Sequence, residues 1–391
     1  MNPRLLILAL GAFAVGTDNY VVAGVLPEIS QSFGVSIGAA GQMVTVYALT
    51  YALLAPTIAT LAAGLQRRHL LLFGAVVFVV ANLGTAFAPH FSIAIAMRML
   101  AGLGAAIISP TTASAATAIV PSQRRGFALS VIVAGLTIST ALGSPIGAVI
   151  GGIVTWHWTM FFVAALAGVM GIGVLATLGD LPMLPVIPLA ERLVPLADAR
   201  IGLTLATSFL FGVGAFTIYT YFTVVFAGAI GGDPVKLAAL LALFGLSGTA
   251  ATLLSGRFVD RVGSHKVLVV ILVGLLISYL LMPWTGSNFW SAIPTVLIWG
   301  AAGWGMIAPQ QYRLVNSAPA VAPIVLGLNN SATFLGTTIA GVVGALGIRL
   351  AGASGLACIA VAFTAGAFVT SEFAERKIGR SNQPSGCTSS I

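Results

Sequence analysis

The feature that most constrains this chain is a succession of apolar runs, each long enough to cross a bilayer and separated by short polar segments. A membrane core about 30 Å thick needs about 20 apolar residues per helix. Within lipid, every backbone N–H and C=O of such a run must be satisfied inside the segment, which makes it helical. Runs fall near 5–27, 39–62, 69–88, 91–118, 126–152 and 158–178, then near 201–228, 236–257, 266–283, 289–311, 322–348 and 352–372. The expected fold is an all-α membrane protein of twelve transmembrane helices. Composition agrees, since only 7% of residues are charged, against roughly 25% in soluble domains.

Charge placement sets the topology. With the N-terminus inside, the cytoplasmic side collects Arg4, Arg67, Arg68, Arg124, Arg125, Arg192, Arg200, Arg257, Arg261, Lys266, Arg313, Arg376, Lys377 and Arg380. The outside receives only Lys236 and Arg349, and Arg98 falls inside a span. An odd number of spans would scramble this asymmetry, so both termini are expected in the cytoplasm. The net charge of +8 is therefore a topology signal, and nucleic acid is not an expected partner. Arg4 alone precedes the first run, which contains Asp18 and Pro27. It reads as an uncleaved span rather than a signal peptide.

The chain also repeats. The loop GLQRRH at 64–69 and the loop DRVGSHK at 260–266 align at an offset of about 197 residues, which also carries the first span onto the seventh and Gly147 onto Gly344. Parallel repeats of this kind place a transporter's site at the interface between halves. The expected division is 1–178 as an N-terminal six-helix bundle, 179–200 as a proline-rich cytoplasmic linker with one short amphipathic piece, 201–372 as a C-terminal six-helix bundle, and 373–391 as a cytoplasmic tail.

Several chemistries have no residues to carry them. Cys358 and Cys387 lie far apart and imply neither a disulfide framework nor a metal site. The four histidines sit at span ends or loops, none at ligand spacing, and no H-E-x-x-H or G-x-S-x-G occurs. No G-K-[ST] occurs either, so no Walker-type phosphate loop is present. Neither an enzyme nor a cofactor or metal is expected, and transport would draw on a gradient.

Two charges are buried in the spans. Asp18 sits about 13 Å from the outer end of the first, and Arg98 about 12 Å from the outer end of the fourth, at 1.5 Å per residue. A charge at such depth costs at least about 2.5 kcal/mol. Their matching depths allow them to meet or alternate in one cavity. A carboxylate whose proton affinity depends on that neighbour could couple protons to transport, and a static ion pair holding two helices is the alternative. A solute in that cavity would pass near Asp18 and, if cationic or hydrogen-bond-donating, would compete with a proton.

Polar and aromatic residues within spans are candidates for the cavity wall: Asn19, Tyr20, Tyr47, Tyr51, Tyr219, Tyr221, Phe222, Trp299, Trp304, Gln310, Asn329, Asn330 and Ser331. Aromatic rings stack on planar solutes, and the alternative for each is helix packing or an interfacial belt. Trp156, Trp158, Trp284 and Trp290 flank outer loops and read as belt. Asn329-Asn330-Ser331 is formally a glycosylation sequon, but it lies within a span. In the fifth span Gly135, Gly143, Gly147 and Gly151 share a face that can press tightly on a neighbour, while Pro145 removes one backbone hydrogen bond and can bend the helix.

These motifs together resemble the major facilitator superfamily. The stretch GRFVDRVGSHK at 256–266, with Gly256, Asp260, Arg261 and Gly263, resembles its loop signature G-x-L-x-D-R-x-G-R-[RK]. Residues 98–106 match its fourth-span pattern R-x-x-x-G-x-G-A-A. Residues 135–152, with Pro145 at the centre, resemble its fifth-span antiporter motif, and Gly16-Thr17-Asp18 with Gly24-Val-Leu-Pro27 resembles the first span of its twelve-span drug:proton antiporters. Segments 42–71 and 299–311 look similar to bacterial purine-base and nucleoside exporters, and chloramphenicol-type and arabinose-type exporters are similar too. In the first loop Ala63 and Gly64 replace the signature's aspartate and arginine, leaving Arg67 and Arg68.

The resemblance implies two pseudo-symmetric six-helix bundles, the major facilitator fold, in a bacterial inner membrane. It implies proton-coupled efflux, or antiport, of a small molecule such as a drug or metabolite, by a monomer whose partners are solute, protons and the lipid bilayer. A purine, nucleoside or sugar exporter, an importer or facilitator of the same fold, and a sensor without flux are the rival readings. It further implies that the fifth-span motif seals against proton leak, and that Asp260 docks near the start of the fifth span when the outer side is open. A helix N-terminus favours a carboxylate there.

Overall fold

A computed structural model of the chain describes residues 2–61, 64–181 and 188–381. Ala63, linker residues 182–187 and the tail from 382, with Cys387, lie outside the described residues. Eleven helical stretches among the described residues are long and apolar enough to cross a membrane. Ten are single spans: α1 (Pro3–Phe33), α2 (Ile37–Leu61), α3 (Arg67–Ala86), α4 (Phe91–Ala118), α5 (Ser122–Ile153), α6 (Trp156–Thr177), α7 (Ala199–Thr220), α8 (Pro234–Val262), α9 (Ser264–Thr285) and α10 (Phe289–Ser317). The eleventh, Pro319–Gly379, has 61 residues. A straight helix of that length would reach about 90 Å, three bilayer cores. It breaks at Ala351 and Gly352, where Gly352 adopts φ 58°, and folds back so that Gly355 packs on the Gly347 carbonyl. The two arms are α11 (319–350) and α12 (353–379), which makes twelve spans.

Large side chains that a soluble protein would hide face outward along these helices, among them Phe73, Ile172, Leu253 and Val270, each more than half exposed. Lipid is the solvent that makes such a surface stable. Trp158, Trp284 and Trp290 are on this surface. Trp156 is not: it is buried, with Phe33 5.5 Å away and His157 stacked on it at 4.0 Å. As the first residue of α6 it turns inward beneath the end of α1.

The fifth span carries the expected bend in an unexpected form. Residues Ser139–Gly143 make a π turn, with the Ser144 N–H reaching the Ser139 carbonyl, and a fresh helix then starts at Ser144. Pro145 has no N–H, and its ring needs room where the carbonyl four residues back would stand. The wider turn supplies that room. The glycine face of α5 is pressed on α1: Gly135 lies on the Ala9 backbone, Gly143 on Thr17, Gly147 on Val21 and Gly151 on Val25. Thr159 of α6 reinforces the arrangement by donating to the Gly147 carbonyl at 2.8 Å.

Between the halves the chain forms a short helix, Leu189–Leu193, and a tight turn, Val194–Ala197. Arg192 donates to the Ala59 carbonyl at the end of α2, 3.1 Å away. Asp198 caps α7 through the Arg200 N–H at 2.8 Å, and the Arg200 guanidinium beside it holds its carboxyl below the usual carboxylate range.

A methyl group at Gly135 would meet the backbone of Ala9, which cannot yield as a side chain can. Gly135→Ala should therefore cost about 1–3 kcal/mol, the range for overpacking, and lower the melting temperature of the purified protein. Gly126→Ala, where no atom lies within 4 Å, should not. Differential scanning fluorimetry of the two variants in detergent checks this.

Candidate functional site: an uncharged cavity backed by a buried ion pair

Asp18 and Arg98 meet. Arg98 Nη1 donates to Asp18 Oδ1 at 2.6 Å and Nη2 to the Asp18 backbone carbonyl at 3.4 Å, and both side chains are buried. The Arg98 guanidinium also lies 4.7 Å over the Tyr47 ring, a cation–π contact that desolvation strengthens. Tyr47, expected as cavity wall, is instead the floor beneath this cation. Asp18 Oδ2, Arg98 Nε and the Tyr47 hydroxyl have no partner among the described protein atoms. The pair is thus held by one strong contact on each side and keeps unused polar atoms.

In front of the pair lies a cavity of about 290 Å³, lined from both halves. Gly16, Asn19 and Tyr20 of α1 line it, while Asp18 does not. A solute there meets Asp18 only through its helix, not side chain to side chain. The roof is aromatic. Tyr20 has Phe216 stacked at 6.1 Å, Tyr219 edge-on at 5.1 Å and Trp304 at 5.8 Å, and Trp299 packs on Phe244 at 4.5 Å. Tyr51 stacks on Phe334 at 4.0 Å across the two halves.

The C-half wall is polar but neutral. Ser208 donates to Asn329 at 2.6 Å, and Gln310 donates to Ser208 at 2.9 Å and to the Thr204 carbonyl at 3.1 Å. Asn330, Gln311 and Thr333 complete it. None of the lining residues is Asp, Glu, Lys, Arg or His.

Of the residues expected at the cavity, Asn19, Tyr20, Tyr51, Tyr219, Trp299, Trp304, Gln310, Asn329 and Asn330 line it. Tyr221, Phe222 and Ser331 do not. Ser331 is buried in helix packing. Phe222 stacks on Trp299 behind the roof, 5.9 Å away. Ser208, Phe211, Phe216, Phe244 and Phe334 line the cavity and were missed. In the sequence they are indistinguishable from residues of any apolar span, and only Ser208, one helical turn from Phe211 and two from Ala215, carried a weak polar signal.

Tyr221 closes the far side. Its hydroxyl donates to the Gly341 carbonyl of α11 at 2.7 Å, a carbonyl that also accepts from Gln42 of α2 at 3.2 Å. Close by, a methyl at Gly38 would come within 3.0 Å of Ala345, and Gly245 of α8 sits directly on the backbone of Thr140 and Ala141 in the α5 π turn. Ser144 and Tyr219 add a hydroxyl contact of 3.2 Å across the same seam. These contacts lie toward the ends of the spans opposite the basic loops. The cavity runs the other way, from Tyr219 and Trp299 down to Val133, Ser208 and Gln311.

The signature loops lie at that basic end. Asp260 and Arg261 are exposed, and Asp260 makes no hydrogen bond or ion pair among the described residues. The docking expected of Asp260 concerns the state open on the other side and is not formed here. Gly263 takes φ 87° between α8 and α9, a conformation that excludes most side chains; Gly256 faces open space. In the first loop Arg67 is buried, and Arg68 donates to the Leu175 carbonyl of α6 at 3.0 Å.

The family model of the Major Facilitator Superfamily matches residues 8–341, and the chain belongs to that superfamily. It is a multi-pass membrane protein that transports a small molecule. It is 27% identical over 369 residues to the uncharacterized MFS-type transporter YbcL of Bacillus subtilis, covering 89% of this chain and 93% of that one. It is 28% identical over 347 residues to the inner membrane transport protein YdhP of Escherichia coli K12, covering 88% of each. A chloramphenicol resistance protein of Streptomyces lividans is 30% identical over 268 residues, 66% of this chain and 67% of that protein. Among solved structures, a D-xylose–proton symporter superposes with a TM-score of 0.77 at 16% identity, covering 94% of this chain and 97% of that one.

The seam at Gly341 supports a specific expectation. Each hydrogen bond to that carbonyl is worth about 1 kcal/mol. Tyr221→Phe and Gln42→Leu should each shift the protein roughly fivefold toward the state open on the Tyr221 side. With Cys358 and Cys387 replaced by alanine, Ala345→Cys, which adds one sulfur to a side chain already at this seam, should then react faster with a membrane-impermeant maleimide.

Proposed function

We propose that this protein is a proton-coupled exporter of a small, uncharged, ring-bearing molecule. The observation that carries the reading is the buried Asp18–Arg98 pair standing directly behind Asn19 and Tyr20 of the cavity wall. Protonating Asp18 would release Arg98, and because both ends of the contact belong to spans, α1 and α4 would shift relative to each other. The shift would move Asn19 and Tyr20, so proton binding and cavity shape would change together without solute and proton sharing an atom. Such coupling between two sites through one bistable contact is reciprocal.

The solute class follows from the wall. Without a counter-charge, an ionic solute would lose its hydration uncompensated, so a neutral molecule fits best. Aromatic roof and amide floor suit a planar ring with hydrogen-bonding groups. The bias of basic residues would put the cavity mouth in the cytoplasm, where an exporter loads. The relative named for chloramphenicol resistance agrees with outward movement, since removing an antibiotic from the cell confers resistance. Alternating access would come from rocking one half against the other within a single chain.

The test uses the purified protein in proteoliposomes with an imposed pH gradient and a radiolabelled solute found by growth-inhibition screening. Asp18→Asn alone leaves Arg98 buried and unpaired, a loss of about 3–5 kcal/mol. Asp18→Asn with Arg98→Gln removes the charge without that penalty. Gradient-driven transport should vanish in the double variant while solute affinity in detergent stays within a few-fold of wild type. Undiminished proton-driven flux would sink the coupling role, and uptake into right-side-out rather than inverted vesicles would reverse the direction.

A further inference from the structure

At the basic end of the C-half the carboxylates of the span ends are already taken. Asp198 is paired with Arg200 at 2.6 Å, Glu372 with His265 at 2.7 Å and Glu375 with Arg313 at 2.9 Å. Arg376 and Lys377, in the same last turns of α12, are exposed and make no ion pair or hydrogen bond among the described residues. Arg380 follows them in the sequence. Asp260, in the last turn of α8, forms no ion pair with them.

These two cations line a surface pocket with Leu203 of α7 and Phe373 of α12. The Arg376 guanidinium lies 5.8 Å over the Phe373 ring. Phe373 and, one turn deeper, Val369 are both 52% exposed. Their position in the bilayer follows from length. From the start of α12 at 353 to Phe373 the helix rises about 30 Å, the thickness of the hydrocarbon core. The pocket therefore sits at the boundary, with its cations at headgroup level and its apolar wall among the acyl chains.

We propose that this pocket binds the phosphate headgroup of an anionic phospholipid. The guanidinium would grip two phosphate oxygens in its fork, and Lys377 would add a point charge. One acyl chain would run along Phe373 and Val369. A soluble phosphate has no use for that apolar wall, and a zwitterionic lipid would bring its own cation close to Arg376 and Lys377.

The experiment is native mass spectrometry of the full-length protein, delipidated in detergent and titrated with phosphatidylglycerol, phosphatidylcholine or glycerophosphoglycerol. A surface cation contributes roughly a fivefold gain for anionic lipid. Arg376→Gln with Lys377→Gln should thus weaken phosphatidylglycerol binding on the order of 30-fold. Arg124→Gln with Arg125→Gln, the same charge change at the basic end of the N-half, should leave it within a few-fold. Phosphatidylcholine should bind poorly in all three proteins, and glycerophosphoglycerol should not displace the lipid. Equal binding of the two lipids, equal loss in both double variants, or displacement by the acyl-free headgroup would overturn the proposal. Circular dichroism confirms that the surface substitutions leave the fold intact.

Discussion

Lipid offers no hydrogen bonds, and that one constraint propagates through the whole molecule. Each span must satisfy its own backbone, so each is helical, and every departure from regular helix needs a local explanation. The π turn at Ser139–Gly143 is explained by Pro145. It sits where α5 meets α8, and its buried backbone is what Gly245 packs against. An irregularity that would be costly against lipid is placed at the seam between halves, covered by α8.

The same constraint governs the charges. A lone carboxylate or guanidinium in a span would be costly, and the structure brings Asp18 to Arg98 with Tyr47 beneath. Such a pair is poor evidence for stability, since burial costs both ions their hydration. What distinguishes it is position. It stands one residue behind the wall of a cavity that contains no charge of its own. A charged wall would bind ions and water, and a neutral wall leaves the field of this pair out of a solute's direct reach.

The closed side and the cavity are built from different chemistry. The seam uses glycines and backbone carbonyls, so that helices touch with little to interlock. The cavity uses large rings and amides, which in the proposed function would give area and direction to a bound solute. Both halves contribute to each, as a repeat with its site at the interface requires.

Much of this was legible in the residues themselves. Span number, the glycine face of α5, the bend at Pro145 and the matching depths of Asp18 and Arg98 follow from length, spacing and the cost of burying charge. These depend on position along one helix, which a linear chain records directly. Whether Asp18 faces the cavity or stands behind its wall depends on the rotation of α1 against α4. Whether Tyr221 holds a solute or a neighbouring carbonyl depends on how α11 packs beside the end of α7. Phe216 and Phe334 became cavity wall while Phe222 did not, though all three are phenylalanines in apolar spans. Such choices are made by the packing of helices distant in sequence, and only the tertiary structure decided them.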